Sequence, residues 1–326
     1  MIQINQLINR QMNEGVYPGA NWAFIEGENV QTFHQGYAQI LPFKEKLKEN
    51  MLFDMASVTK VVCTGMVVLK LWENGLVDID QPFSLYYPSF LDEKVTLRHL
   101  LTHTSDINPF IPHRDELSAH ELKEAYNHLK SGDNIGKTFA YTDTGTVLMG
   151  FMIEEIYQKY AQEVFQELIL TPLKMKESRF QPISPPSLAV PTQLTTTRGM
   201  THDPKANKLG KHAGSAGLFS TLNDLIQFVK EVFFKQTFLK KETISLLLQD
   251  YSPLKNANRS LGWDLKAENY LFHTGYTGTF LLVNPVEQKA FIFLSNRVHP
   301  YDLREEYLIA RDELVNLYLT NNVDLA

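Results

Sequence analysis

Strand-like segments stand near both ends of the chain, and helical ones fill the middle. Near the start, "GANWAFIEGENVQTFHQGYAQI" reads as two strands joined by a turn at Gly27-Glu28-Asn29. Near the end, "YLFHTGYTGTFLLVNPVEQKAFIFLSNR" reads as further strands, including a hairpin that turns around Asn284-Pro285. Between them, "TLRHLLTHT" and "SAHELKEAYNHLK" carry helical periods, with Pro109 and Pro112 breaking the chain between the two. "DTGTVLMGFMIEEIYQKYAQEVFQELI" reads as a long helix, and "TLNDLIQFVKEVFF" as another. The proline-rich 181–191 segment suits neither regular helix nor central strand and reads as a crossing loop. Ile4, Leu7, Ile8 and Met12 mark one face of an N-terminal helix ending at Gly15, and "LREEYLIARDELVNLYL" closes the chain with an amphipathic helix. This order predicts a sheet assembled from both termini with a helical domain inserted, not a doubly wound parallel sheet. The expected division is a discontinuous α/β sheet domain, 1–80 and 195–326, and a mainly helical domain, 81–194.

The remaining bulk features exclude several classes. With 326 residues and 44% hydrophobic content, the chain can bury a large core. Its net charge of −6 has both signs dispersed, so no basic face argues for nucleic acid. No stretch approaches the roughly 18 apolar residues of a membrane span. The first residues lack the continuous apolar core of a secretory signal, so the expected location is cytoplasmic, with an exported form as the alternative if a longer precursor exists. The single cysteine, Cys63, excludes an internal disulfide framework and reads as a small buried hydrophobe.

"FDMASVTKVV" places Ser57 and Lys60 three residues apart where an apolar helix begins, a helix spanning 57–74 and closed by Gly75. Taken alone, that pair is an ordinary helical neighbourhood. Ser57 at a helix N-terminus would nonetheless find the dipole favourable to a developing anion. Lys60 lies on the same face and can reach the hydroxyl, but acts as a base only if burial or nearby cations lower its pKa.

Three further stretches change the weight of the pair. They are "FAYTDTG" with Tyr141 and Asp143, "FHTGYTG" with His273-Thr274-Gly275 on a strand, and the glycine-bearing loop "GSAGLFSTLNDL". With Ser57-Val58-Thr59-Lys60, and in this order and spacing, they resemble the penicillin-recognising serine hydrolase family. That family includes class C β-lactamases, D-alanyl-D-alanine peptidases, other penicillin-binding proteins and related esterases. The resemblance runs from "PGANWAFIEGE" to "FIFLSNRVHP".

The resemblance implies a β-lactamase/transpeptidase-like fold with an antiparallel sheet flanked by helices. It implies Ser57 as nucleophile, Lys60 as its base and Tyr141 as the partner sharing proton transfer. It also implies an oxyanion hole made by the backbone N–H groups of Ser57 and Tyr276, with Thr274 and Gly275 lining the cleft and His273 arriving from an edge strand. No metal or organic cofactor is needed. The expected substrates are small esters, amides or D-amino-acid peptides, with β-lactams as acylating ligands. The alternative is a family member that binds or senses penicillins and acylates without efficient turnover.

Two positions depart from the commonest β-lactamase pattern. His273 stands where those enzymes usually carry lysine. Asp143 stands where an asparagine usually donates to substrate, and an ionised carboxylate cannot donate. A fixed negative charge there would also disfavour a carboxylate-bearing substrate. Both move the expectation from efficient β-lactam hydrolysis toward an esterase, amidase or peptidase. Asp143 can equally serve as a cap that complements a helix dipole. His99 and His103, four apart, have metal-ligand spacing without a third ligand at a suggestive distance. His202 and His212 flank the loop before "GSAGLFS" and read as loop residues, with lining the cleft as the alternative.

Overall fold

A computed structural model describes residues 1–255 and 257–323. Its main sheet has seven strands, all antiparallel: β1 (Gly19–Glu26), β2 (Asn29–Gln39), β3 (Glu45–Lys46), and, after a long excursion, β7 (Asp264–Lys266), β8 (Tyr270–Gly275), β9 (Thr279–Asn284) and β10 (Lys289–Ser295). The spatial order is β3-β2-β1-β10-β9-β8-β7, so the first strand and the last lie side by side at the centre, Ala20 opposite Ser295. The sheet is therefore assembled from both termini. A small second sheet joins β4 (Phe53–Asp54), β6 (Leu218–Ser220) and β5 (Arg179–Phe180).

The central strands are buried on both faces, which explains their near-continuous apolar runs. Alternate residues still sort by size. Trp22, Phe24, Phe280, Phe291 and Phe293 face α1 (Ile2–Asn13) and α10 (Arg304–Val323), where Ile4, Ile8, Leu314 and Tyr318 cover them. Ring centroids of Phe24 and Phe291 stand 4.9 Å apart, and those of Phe280 and Phe291 5.0 Å. Each such ring, fully buried, contributes roughly 1.5–3 kcal/mol. The intervening Ala23, Ile25, Leu281, Val283 and Ile292 are smaller and pack toward the helical body. That body contains α2 (Gly65–Glu73), α3 (Leu97–Leu101), α4 (Ala119–Asn127), α5 (Thr144–Tyr157), α6 (Ala161–Phe165), α7 (Pro204–Leu209), α8 (Leu222–Val229) and α9 (Lys241–Leu246). Among the described residues no helix is long and apolar enough to cross a membrane.

The long helix expected from Asp143 onward is instead two. α5 stops at Gln158, which takes a left-handed conformation (φ 52°), and α6 restarts three residues later at Ala161. No glycine or proline marks that break, so residue type gave no warning. α5 is locked from the opposite direction by Gly150 and Gly214. A Cβ on Gly214 would strike the Thr146 carbonyl oxygen, so only glycine lets the 214–217 loop lie on the helix.

Candidate active site

The chain reaches Ser57 through a strained turn. β4 pairs Phe53 with Ser220, and three residues after Phe53 Ala56 adopts φ 44°, a left-handed conformation unusual for a residue with a Cβ. Asp54 holds the turn closed. One carboxylate oxygen accepts the Ala56 N–H at 2.9 Å, and the other accepts Thr201 Oγ1 at 3.1 Å and the His202 N–H at 2.6 Å. Its main-chain oxygen takes the Thr277 hydroxyl at 2.6 Å. Burial pushes the Asp54 pKa up to about 6 against these donors. Ser57 sits within a tight 3₁₀ turn (Ala56–Val58), and the chain then widens through a π-helical turn (Lys60–Thr64) before α2 begins.

Lys60 is buried beneath Ser57. Its Nζ lies 2.6 Å from Ser57 Oγ, 3.1 Å from the Ser215 carbonyl oxygen and 2.7 Å from Asp143 Oδ1. Two of those partners can only accept. The third direction from nitrogen points at Ser57, with an N–H if the group is an ammonium and with the lone pair if it is an amine. Burial pulls the Lys60 pKa down, but the Asp143 carboxylate, helped by Tyr141 and Asp203, outweighs burial and holds it above its ordinary value. The condition for a resting base, a lowered pKa, is therefore not met.

Asp143 is not the bare anion its place in the sequence suggests. Burial alone would raise its pKa, yet Lys60 on Oδ1 and Lys205 on Oδ2, each at 2.7 Å, drive it below the usual carboxylate range. Both oxygens are committed to ammonium groups. Asp143 precedes α5, but its side chain makes no capping hydrogen bond, so the capping expectation is corrected: the ion pairs take the carboxylate instead.

On the cleft side, Tyr141 is 43% exposed, and Lys60 Nζ stands 5.6 Å from its ring centroid. The His103 ring lies 4.5 Å from it. His103 follows α3 with φ 56°, so its ring turns away from His99, whose Nδ1 folds back to cap α3 at Thr96. Burial, with Arg259 and Lys60 nearby, lowers the His103 pKa to about 3. His273 is also buried, 6.2 Å from the Tyr141 ring, and both its ring nitrogens lack partners among the described residues. Burial and the neighbouring Lys60 and Arg259 keep it neutral. β8 is the second strand from the edge, but β7 pairs only as far as Phe272, so His273, Thr274 and Gly275 run past it along an open edge.

Gly275 touches the Met55 carbonyl side of the Ser57 turn so closely that a Cβ would collide with that oxygen. Tyr276 follows, its carbonyl accepting Arg297 Nε at 2.7 Å and its hydroxyl donating to Asp302 at 2.5 Å, while His202 stacks on its ring. A cleft of about 480 Å³ opens here, lined by Ser57, Tyr141, His273, Thr274, Gly275 and Tyr276, and farther out by Arg259, Lys266, Arg297 and Arg304. The "GSAGLFS" loop stays behind this surface: Ser215 anchors Lys60, Gly214 accepts from Thr64, and Leu218 donates to Thr59. Cys63 is buried there too, and His212 is spent on Glu154, 2.7 Å away.

The Beta-lactamase family model matches residues 4–315 of this chain. The chain belongs to the Beta-lactamase family. It is 24% identical over 360 residues to an N-acetylmuramyl-L-alanine amidase of Bacillus subtilis, covering 91% of this chain and 81% of that one. The crystal structure of FmtA from Staphylococcus aureus superposes with a TM-score of 0.75 at 19% identity, over 96% of this chain and 89% of that one. EstCE1, described as a hydrolase with promiscuous acyltransferase activity, gives a TM-score of 0.77 at 16% identity, over 96% and 97%. The fold is thus β-lactamase/transpeptidase-like, and the chain is a serine hydrolase of the Beta-lactamase family.

The structure brings all eight residues singled out in the sequence to one place. It adds Asp54, His103, Lys205 and Arg259, none of which sequence reasoning assigned. His103 entered only through its spacing from His99, and Lys205 lies 62 positions from Asp143 with no pattern linking them.

Proposed function

We propose that Ser57 is the nucleophile of an acyl-transfer hydrolase for esters, amides or D-amino-acid peptides, with weak or no turnover of β-lactams. The observation that carries this reading is the 2.6 Å contact between Lys60 Nζ and Ser57 Oγ at the floor of an open cleft. Attack by Oγ forms the Oγ–carbonyl bond. The Ser57 proton passes through Lys60 and Tyr141 to the departing alkoxide or amine, and water then releases the acyl group by the reverse route. Because Asp143 favours the charged lysine, transfer begins once Lys60 has lost a proton to solvent. The N–H groups of Ser57 and Tyr276 stabilise the oxyanion, each donor being worth roughly 3–4 kcal/mol in favourable sites.

The substrate preference rests on the strand side. A neutral, buried His273 offers no ammonium beside Thr274 to hold a carboxylate next to the scissile bond. Asp143, with both oxygens engaged, offers no amide donor. Both losses weaken recognition of a β-lactam more than that of a simple ester. Turnover of a p-nitrophenyl ester by the parent and by Ser57→Ala tests the assignment. The reading predicts that Ser57→Ala falls to the uncatalysed rate, and parental turnover by that variant would defeat it.

A further inference from the structure

Behind Asp143 stands a second amine. Lys205, the second residue of α7, reaches Asp143 Oδ2 at 2.7 Å, with its side chain 18% exposed. It is held from below by Asp203, whose Oδ2 lies 3.1 Å away while Oδ1 accepts the Ala206 N–H at 2.7 Å. Four charges therefore alternate along one line from the cleft floor: Lys60, Asp143, Lys205, Asp203. We propose that Lys205 is a positioning residue which, acting through Asp143, limits how firmly that carboxylate grips Lys60 and so sets the pH at which Lys60 can take the Ser57 proton. The proposal rests on reading Ser57 and Lys60 as nucleophile and base.

The physical argument is competition for one anion. A carboxylate facing a single ammonium spends its whole field on it, whereas a second ammonium on the other oxygen offsets part of that field. The same pairing fixes the carboxylate plane, so Oδ1 keeps facing Lys60. The other titratable groups around Lys60 are Tyr141, His103 from the segment after α3, and His273 from β8, with Arg259 beyond them. The histidines are neutral and Arg259 is cationic, so Asp143 is the anion in contact with Lys60 and Lys205 the cation that shares it.

The test is the pH profile of kcat/KM for a p-nitrophenyl ester, with Ser57→Ala as the blank, in the full chain. Lys205→Met is expected to move the ascending limb up by about one pH unit, with about a tenfold loss below it. Lys205→Arg, which keeps the charge, should leave the limb at its parental position. Asp143→Asn should move it down, and Lys205→Met in the Asp143→Asn background should no longer shift it. Lys205→Gln replaces Lys205→Met if the latter does not fold. Lost activity with an unmoved limb, or an equal shift in both backgrounds, overturns the role of Lys205. Failure of Ser57 to become acylated in the parent would instead overturn the nucleophile assignment, so the two failures are distinguishable.

Discussion

On the helix side of Ser57 every charge meets an opposite one: Lys60 on Asp143, Asp143 on Lys205, Lys205 on Asp203. On the strand side His273 is as deeply buried, yet it is neutral and its ring nitrogens have no partner among the described residues. Its place is set by packing against Trp263 and Tyr141, with ring centroids 6.4 and 6.2 Å away. Around Lys60 an ion-paired row fixes charge, whereas beside Thr274 a neutral, packed histidine fixes shape. Removing one member of a buried charge row leaves the next unpaired, which is costly. Changing a neutral, packed side chain such as His273 alters which molecules fit.

The sharpest way to break this contrast is on the helix wall. Lys60→Met should lower ester kcat/KM by about 10³-fold or more, because the nucleophile then loses its proton acceptor. Steady-state assays would check it, and a loss below tenfold would move the base elsewhere. On the strand wall, His273→Lys places a cation beside Thr274. Acylation by benzylpenicillin should rise about tenfold while ester turnover changes less, as a charge that recognises a carboxylate is specific to the carboxylate-bearing ligand. Equal changes for both substrates would show that the wall does not select by charge.

A smaller effect concerns the turn beneath both walls. Asp54 has a folded pKa of about 6, above its ordinary value of about 3.9 in an unfolded chain. The folded state therefore binds this proton more tightly, and the resulting stability is present below about pH 4 and lost as pH rises through about 6. Urea unfolding of the parent between pH 4 and 7 should show that decline, and Asp54→Asn should flatten it. Asp54→Asn should also cost about 1–3 kcal/mol, since its amide NH₂ must face an N–H that the carboxylate now accepts. An identical pH slope in both proteins would remove Asp54 as its source.

The sheet was legible because its strands carry continuous apolar runs whose faces sort by size, and because strands at both ends with helices between leave few ways to close a sheet. Ser57, Lys60, Tyr141 and the 273–276 segment were legible as motifs in a fixed order, none of which would have sufficed alone. The helix break at Gln158 was not, since a glutamine in the left-handed region carries no compositional mark. The charge row was half legible. Asp143 stood out as a departure, but its meaning depends on Lys205, which α7 brings in from a loop whose path no periodicity fixes. His103 was read by its spacing from His99, and the positive φ after α3 sends the two rings to different tasks.

The most direct measurement is intact-mass spectrometry, with peptide mapping, after incubation with a panel of acyl esters, D-alanyl peptides and β-lactams. The account predicts an acyl adduct on Ser57 that forms and decays with at least one ester or D-alanyl peptide, and forms slowly, if at all, with β-lactams. Turnover of those substrates with no adduct on Ser57, and undiminished in Ser57→Ala, would contradict it.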